Sequence, residues 1–212
     1  MNMQKIWKIL MLAVMVLSLF LCGCEEAAPT EPLTTAKGDG SDLVNANVTH
    51  YVTIEIENYG TIKAELYGKT APISVENFVR LAESGFYNGL TFHRIIAGFM
   101  MQGGAPNSNS PQVAPIKGEF ASNGVENNLK HERGVLSMAR TDVPDSATSQ
   151  FFIVHETSPH LDGDYAAFGK VIEGIEVVDT ICTTVIPSGG NGAIAAKDRP
   201  VIKSITVETA DQ

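Results

Sequence analysis

An antiparallel β barrel or sandwich with helical covers is the fold class the chain predicts. Three observations carry it. Many short segments alternate polar and apolar residues with a period of two, glycine-rich turns separate them, and only two amphipathic helical stretches occur, far apart in the sequence. No internal repeat is evident, and 212 residues allow one principal domain with a core of respectable size.

The elements follow in order. Tyr51-Val52-Thr53-Ile54-Glu55-Ile56-Glu57 alternates, Asn58-Tyr59-Gly60 turns, and residues 61–67 alternate again, which is a β-hairpin. Ala71-Pro72-Ile73-Ser74 opens a helix with Val75, Phe78, Val79 and Ala82 on one face; Ser74 is its expected N-cap and Gly85 its stop. Short strands are expected over 91–96, 99–102, 134–139, 150–154 and 166–172, a second helix over 175–182 and a last strand over 201–207. Residues 102–130, rich in Asn, Ser, Gly and Pro, read as a long loop, and loops of that length in a compact domain are often functional. Ser188-Gly189-Gly190-Asn191-Gly192 is another loop. It lacks the following Lys-Ser or Lys-Thr that would support phosphate binding.

The N-terminus has a different character. Lys5 and Lys8 flank Trp7, and an uncharged apolar run follows to Leu21, short for a membrane span and suited to a secretory signal. The run ends in Leu21-Cys22-Gly23-Cys24, which resembles a bacterial lipoprotein signal; the resemblance implies cleavage after residue 23 and acylation of Cys24, since Gly23 precedes it. Residues 1–23 are then the signal, 24–47 a lipidated cysteine and a Pro/Thr/Gly/Asp-rich tether with too little apolar surface to fold, and 48–212 the domain. The expected location is extracytoplasmic, anchored to a bacterial membrane by that lipid.

Charge and cysteine content exclude some functions. The formal net charge of −9 becomes −11 once Lys5 and Lys8 leave with the signal, so the chain lacks the basic footprint that a nucleic-acid partner needs. With Cys24 lipidated, Cys182 has no partner for a disulfide and is expected as a small buried hydrophobe. Five histidines include His155 and His160, five apart, with no convincing further ligands, so no metal and no cofactor are expected. A Gly-x-Ser-x-Gly nucleophile element does not occur.

The chemistry-bearing residues lie on the middle strands. Period two puts Phe92, Arg94 and Ile96 on one face and His93 and Ile95 on the other; Met100 and Gln102 point together, opposite Phe99 and Met101, and Gln150 shares a face with Phe152. An arginine inside an apolar run needs something to hydrogen-bond. His93 is expected as a hydrogen-bonded structural residue.

The segments Phe92-His93-Arg94-Ile95-Ile96, Gly98-Phe99-Met100, Gln102-Gly103-Gly104, Ser137-Met138-Ala139, Ser149-Gln150-Phe151-Phe152-Ile153 and Leu161-Asp162-Gly163, followed by Phe168-Gly169-Lys170-Val171, resemble the cyclophilins in order and spacing from about Tyr51 to Val207. That resemblance implies a mainly β fold, an eight-stranded antiparallel barrel capped by two α-helices, and peptidyl-prolyl cis-trans isomerase activity on proline-containing polypeptides by a monomer. It implies Arg94 as the catalytic residue; Phe99, Met100, Phe152 and Leu161 lining the proline pocket; and Gln102, Ala139 and Gln150 on the adjoining peptide. Arg140, His160 and Tyr165 also fall at substrate-binding positions. There the chain departs from the better-known eukaryotic pattern, in which an asparagine, a tryptophan and a histidine stand; Ala97 replaces a proline.

Overall fold

A computed structural model of the protein describes residues 47–211; the signal, Cys24 and all but the last residue of the tether lie outside the described residues. The opening hairpin pairs strand β1 (His50–Ile56) with β2 (Gly60–Leu66), Ile54 opposite Ile62. Its turn uses left-handed backbone at Asn58, a residue that tolerates positive φ.

Helix α1 (Pro72–Glu83) starts with Pro72, whose missing N–H costs nothing in the first turn. Ser74 is not its N-cap. Ala71 holds that place without a side-chain bond, and the buried carboxylate of Glu119, 45 residues further on, caps the helix from outside. It accepts from Ile73 N (3.0 Å), Ser74 N (2.8 Å) and Ser74 Oγ (2.7 Å), so three donors and the positive helix end share one anion. The stop is as expected: Gly85 has φ +72°, its N–H reaches Ala82 O at 2.9 Å, and Phe86 N reaches Leu81 O at 3.0 Å, a Schellman ending.

The remaining elements are β3 (Phe92–Ile96), β4 (Met100–Gly103), β5 (Val135–Met138), β6 (Phe151–Val154), β7 (Ala167–Glu173), α2 (Ile175–Thr184) and β8 (Ile202–Thr209). All strand pairings are antiparallel, in the order β3-β4-β6-β5-β7-β2-β1-β8. The two edge strands meet at one end, where Thr91 bridges Val201, Phe92 N donates to Pro200 O (2.9 Å) and Ile202 N to Leu90 O (2.8 Å). The sheet thus curls into a half-barrel.

Alternation sorts this sheet into two apolar faces. Met101, Leu136, Phe151, Ile153 and Phe168 enter the main core, where Phe78 of α1 packs against Phe151, Phe168 and Tyr87, each at 5.2 Å between ring centres. Complete burial of a side chain such as Phe78 stabilises by about 2 to 3 kcal/mol. Their neighbours Met100, Val135, Phe152, Val154 and Ala167 form a second cluster on the opposite face. Cys182, on α2, is buried and its thiol pKa is pushed up to about 12 by desolvation, as suits an inert small hydrophobe.

One strand departs from simple alternation. In β3, Phe92 pairs with Gly103 and Arg94 with Gln102, so His93 is an inserted residue, a β-bulge. Phe92 and Ile95 therefore both enter the main core, while Ile96 packs on the second cluster. The expected grouping of Phe92 with Arg94 and Ile96 is wrong for this reason. His93 meets expectation only in part: its ring has a backbone hydrogen bond at Thr91, but its buried Nδ1 has no partner.

Candidate active site

The second apolar cluster carries a pocket of about 90 Å³. Phe152 of β6 and Met100 of β4 lie side by side on it because their strands are neighbours; Leu161, from the short 3-10 turn at Pro159–Leu161, and Phe99 supply further apolar wall. Phe99 stands with Met100 rather than opposite it, because the chain is still turning there, with Phe99 N bonded to Ile96 O at 3.0 Å. Arg94 and Gln102 line one side of the pocket, and Ala139, Arg140 and Tyr165 the other. Gln150 and His160 are one step removed. Gln150 Oε1 accepts from Gln102 Nε2 at 3.0 Å, and the His160 ring packs on Phe99 at 5.2 Å.

Oxygen acceptors hold Arg94 through three of its five N–H groups. Nε donates to Asn191 O (3.0 Å), Nη2 to Asn191 Oδ1 (2.9 Å) and Nη1 to Gln102 Oε1 (3.2 Å). Nη1 also faces Met100 Sδ at 4.0 Å, a weak sulfur contact, so the second proton of Nη2 is left for a ligand. Burial lowers the Arg94 pKa somewhat, but an arginine starts so high that it stays charged at any working pH. The apolar pocket and the guanidinium together provide a ring-sized slot with a fixed, permanent cation at its edge.

Behind Phe152 sits a buried polar chain. The His131 ring stacks on Phe152 at 6.0 Å and 18°, with Nδ1 3.1 Å from Asp162 Oδ1 and Nε2 3.0 Å from Ser137 Oγ. In neutral His131, Nδ1–H donates to the carboxylate and Nε2 accepts the serine O–H, so every group is satisfied. Burial holds its pKa below the ordinary histidine value against the opposing pull of Asp162. The order Asp-His-Ser suggests a hydrolase, but Ser137 is fully buried and no substrate can reach it.

The family model described as cyclophilin type peptidyl-prolyl cis-trans isomerase/CLD matches residues 51–210. The chain belongs to the cyclophilin-type peptidyl-prolyl cis-trans isomerases. This cyclophilin is 43% identical over 178 residues to a peptidyl-prolyl cis-trans isomerase of Acinetobacter baylyi, covering 80% of the chain and 91% of the relative. It is 46% identical over 121 residues to peptidyl-prolyl cis-trans isomerase B of Bacillus subtilis, covering 57% and 82%. Its fold is similar to that of a Cryptosporidium parvum cyclophilin type peptidyl-prolyl cis-trans isomerase solved in the presence of the dipeptide Ala-Pro, with a TM-score of 0.64 and 34% identity over 76% of this chain and 99% of that one.

Sequence reasoning missed one residue of this candidate site. Asn191 belongs to the glycine-rich loop that lacks a phosphate-binding signature, and it holds Arg94 through both its backbone and its side chain. The available signal was the Gly-Gly-Asn-Gly string, which permits a turn with Asn191 at φ 58° and Gly192 at φ 76°. A Cβ at Gly192 would collide with Ile96 and come within 2.6 Å of Ile95 O, so only glycine lets this turn lie against β3. The two histidines considered for metal have other occupations: His155 Nδ1 accepts from Gly98 N (2.9 Å) and its Nε2 faces Asp179 Oδ1 (3.3 Å). A larger open groove of about 670 Å³, beside the β1–β2 turn, carries none of the expected residues.

Proposed function

We propose that this isomerase works outside the cytoplasm, tethered through a lipid on Cys24, where it carries secreted chains past slow proline steps, and that Arg94 supplies its catalysis. An X-Pro bond turns slowly because amide resonance imposes a barrier of about 18 to 20 kcal/mol. No covalent bond need break and no proton need move. The catalyst has to favour the twisted amide, whose nitrogen is pyramidal and accepts a hydrogen bond. Phe99, Met100, Phe152 and Leu161 grip the proline ring, the free N–H of Arg94 donates to the twisted amide, and Gln102, Ala139 and Gln150 bind the adjoining peptide. A rate gain of about 10⁵ requires about 7 kcal/mol of differential stabilisation, attainable with a charged donor fixed in advance beside a dry slot.

The observation that carries this reading is the triple anchoring of the Arg94 guanidinium beside an apolar pocket of about 90 Å³. The test is isomerisation of an Ala-Pro peptide by the purified chain. Arg94→Ala is expected to reduce kcat/KM by about 10² to 10³, and Arg94→Lys, which keeps the charge without the rigid fork, to recover only part of it. Wild-type rates in Arg94→Ala would refute the role. The anchor rests on the Leu21-Cys22-Gly23-Cys24 sequence alone. Cys24→Ser is expected to shift the protein from the membrane to the soluble fraction of cells, and undiminished membrane retention would refute the lipid.

A further inference from the structure

The pocket holds a second cation that the reaction does not require. Arg140 lies just past β5 and Arg94 on β3, with β4 and β6 between them, so the two guanidiniums flank the proline slot from opposite sides. Three strand spacings separate the two backbones, about 14 Å. None of the residues lining the pocket is acidic, in a chain whose net charge is −9.

Arg140 is placed with care. Its guanidinium lies between the rings of Phe120, 5.0 Å away, and Tyr165, 4.6 Å away. Nε donates to Asp164 O (2.9 Å) and Nη1 to Thr141 O (2.8 Å). The acids nearest in sequence do not neutralise it. Asp164 offers its carbonyl and leaves its own side chain exposed, Asp142 is exposed, Asp145 is taken by Gly118 N and Asn123, and Asp162 by His131 and Lys130. Among the described residues no ion pair includes Arg140. Three of its five donors stay open, on a fork whose orientation is already set, so little freedom is lost when an anion binds.

From this we infer that Arg140 makes the enzyme selective for proline segments that carry a carboxylate side chain one or two residues from the proline. The inference rests on the pocket assignment proposed above. A side chain at that distance reaches from the slot toward its rim, where a planar, aromatic-backed guanidinium matches a carboxylate in two-pronged geometry. Repulsion between Arg140 and Arg94 is relieved when the substrate brings in negative charge, which a neutral segment cannot do.

The test uses the full chain and short peptides that share one Ala-Pro bond and carry Glu, Gln or Lys at one position, scanned over two residues on either side of the proline. At the best position Glu is expected to exceed Gln by about tenfold in kcat/KM, the gain of one charge-assisted contact, with Lys below Gln. Arg140→Met keeps a long stem between the two rings and removes the charge; the Glu-to-Gln ratio should fall to about one, whatever happens to the absolute rates. If that variant does not fold, wild-type protein decides the matter, because the ratio should shrink toward one in 1 M salt, where screening acts within about 3 Å. Equal rates for Glu and Gln at every position, a ratio that survives Arg140→Met, or a ratio unmoved by salt would overturn the inference. Arg94→Ala separates the two claims. Uniform loss across all peptides with the ratio absent in wild type sinks the selectivity alone, whereas wild-type rates in Arg94→Ala sink the pocket assignment and the selectivity with it.

Discussion

The Arg94 guanidinium, the catalytic group of the proposed mechanism, is aimed chiefly by Asn191, with Gln102 holding its other terminal nitrogen. Asn191 offers two acceptors to the same guanidinium, which fixes the plane of the fork as well as its position. Asn191→Gly keeps the left-handed backbone and the carbonyl acceptor and deletes only Oδ1, so the loop can stay in place while Nη2 loses its partner. If Arg94 acts as proposed, the expected result is a fall of about tenfold in kcat with KM changed much less, because the lost contact orients a donor to the transition state. Asn191→Asp, which retains an acceptor at that point, should keep most of the activity. Steady-state kinetics on an Ala-Pro peptide check both variants. Equal losses in the two would mean that the loop matters for shape alone. The weakness of Gly-Gly-Asn-Gly as a motif explains why this residue escaped the sequence reading, as its partner lies 97 positions away.

At the scale of elements, what could be read in the sequence was what repeats locally. The strands show because inward and outward positions differ at every second residue, and the outward-facing Phe152 and Met100 could be placed with Gln150 and Gln102 by counting alone. The stop of α1 showed in Gly85, since a helix end that needs positive φ advertises itself with glycine. Its start did not. A cap supplied by Glu119 depends on where the long loop returns in space, and nothing near Ser74 announces it. The β3 bulge is hidden for a similar reason. Phe92-His93-Arg94-Ile95 fits an unbroken strand equally well, and the inserted His93 is settled only by pairing with Gly103 and Gln102 on β4. The pocket itself lay between these cases. Its residues come from separated segments, so periodicity could orient Arg94, Met100, Gln102 and Phe152, misplaced Phe99 at a turn, and left it to the resemblance to bring them together.

For the whole molecule, one buried and one half-buried histidine make acid the natural stress. His131 has a completely buried side chain and His93 a buried, unpartnered Nδ1, and in both cases desolvation holds the pKa below its ordinary value of 6.5. Arg199 and Arg94 add to the effect on His93, where a backbone hydrogen bond at Thr91 opposes it; Asp162 opposes it on His131, while His160 and Lys130 reinforce it. With a folded pKa depressed, the unfolded chain binds protons that the folded one refuses, so stability is complete above pH 6.5 and declines as pH drops below it. The decline is at most about 1.4 kcal/mol per pH unit for His131 and smaller for the half-exposed His93, and continues until the folded pKa is reached. Asp162 and Asp179 extend the trend. Burial pushes Asp162 up, but the hydrogen bonds from His131 and the charge of Lys130 together outweigh it, and Arg133 holds Asp179, so both carboxylates lie below their usual range and their stabilisation is lost only in stronger acid. Thermal unfolding followed by circular dichroism should therefore give a Tm that is flat from pH 8 to 7 and falls by several degrees between pH 6.5 and 5, at about 2 to 4 °C for each kcal/mol. His131→Gln, which can still bond Asp162 or Ser137 but cannot titrate, should lower Tm at pH 7 and flatten the slope below pH 6.5. An unchanged slope would show that His131 takes up its proton in the folded state as readily as in the unfolded one, and the neutral chain behind Phe152 would have to be redrawn.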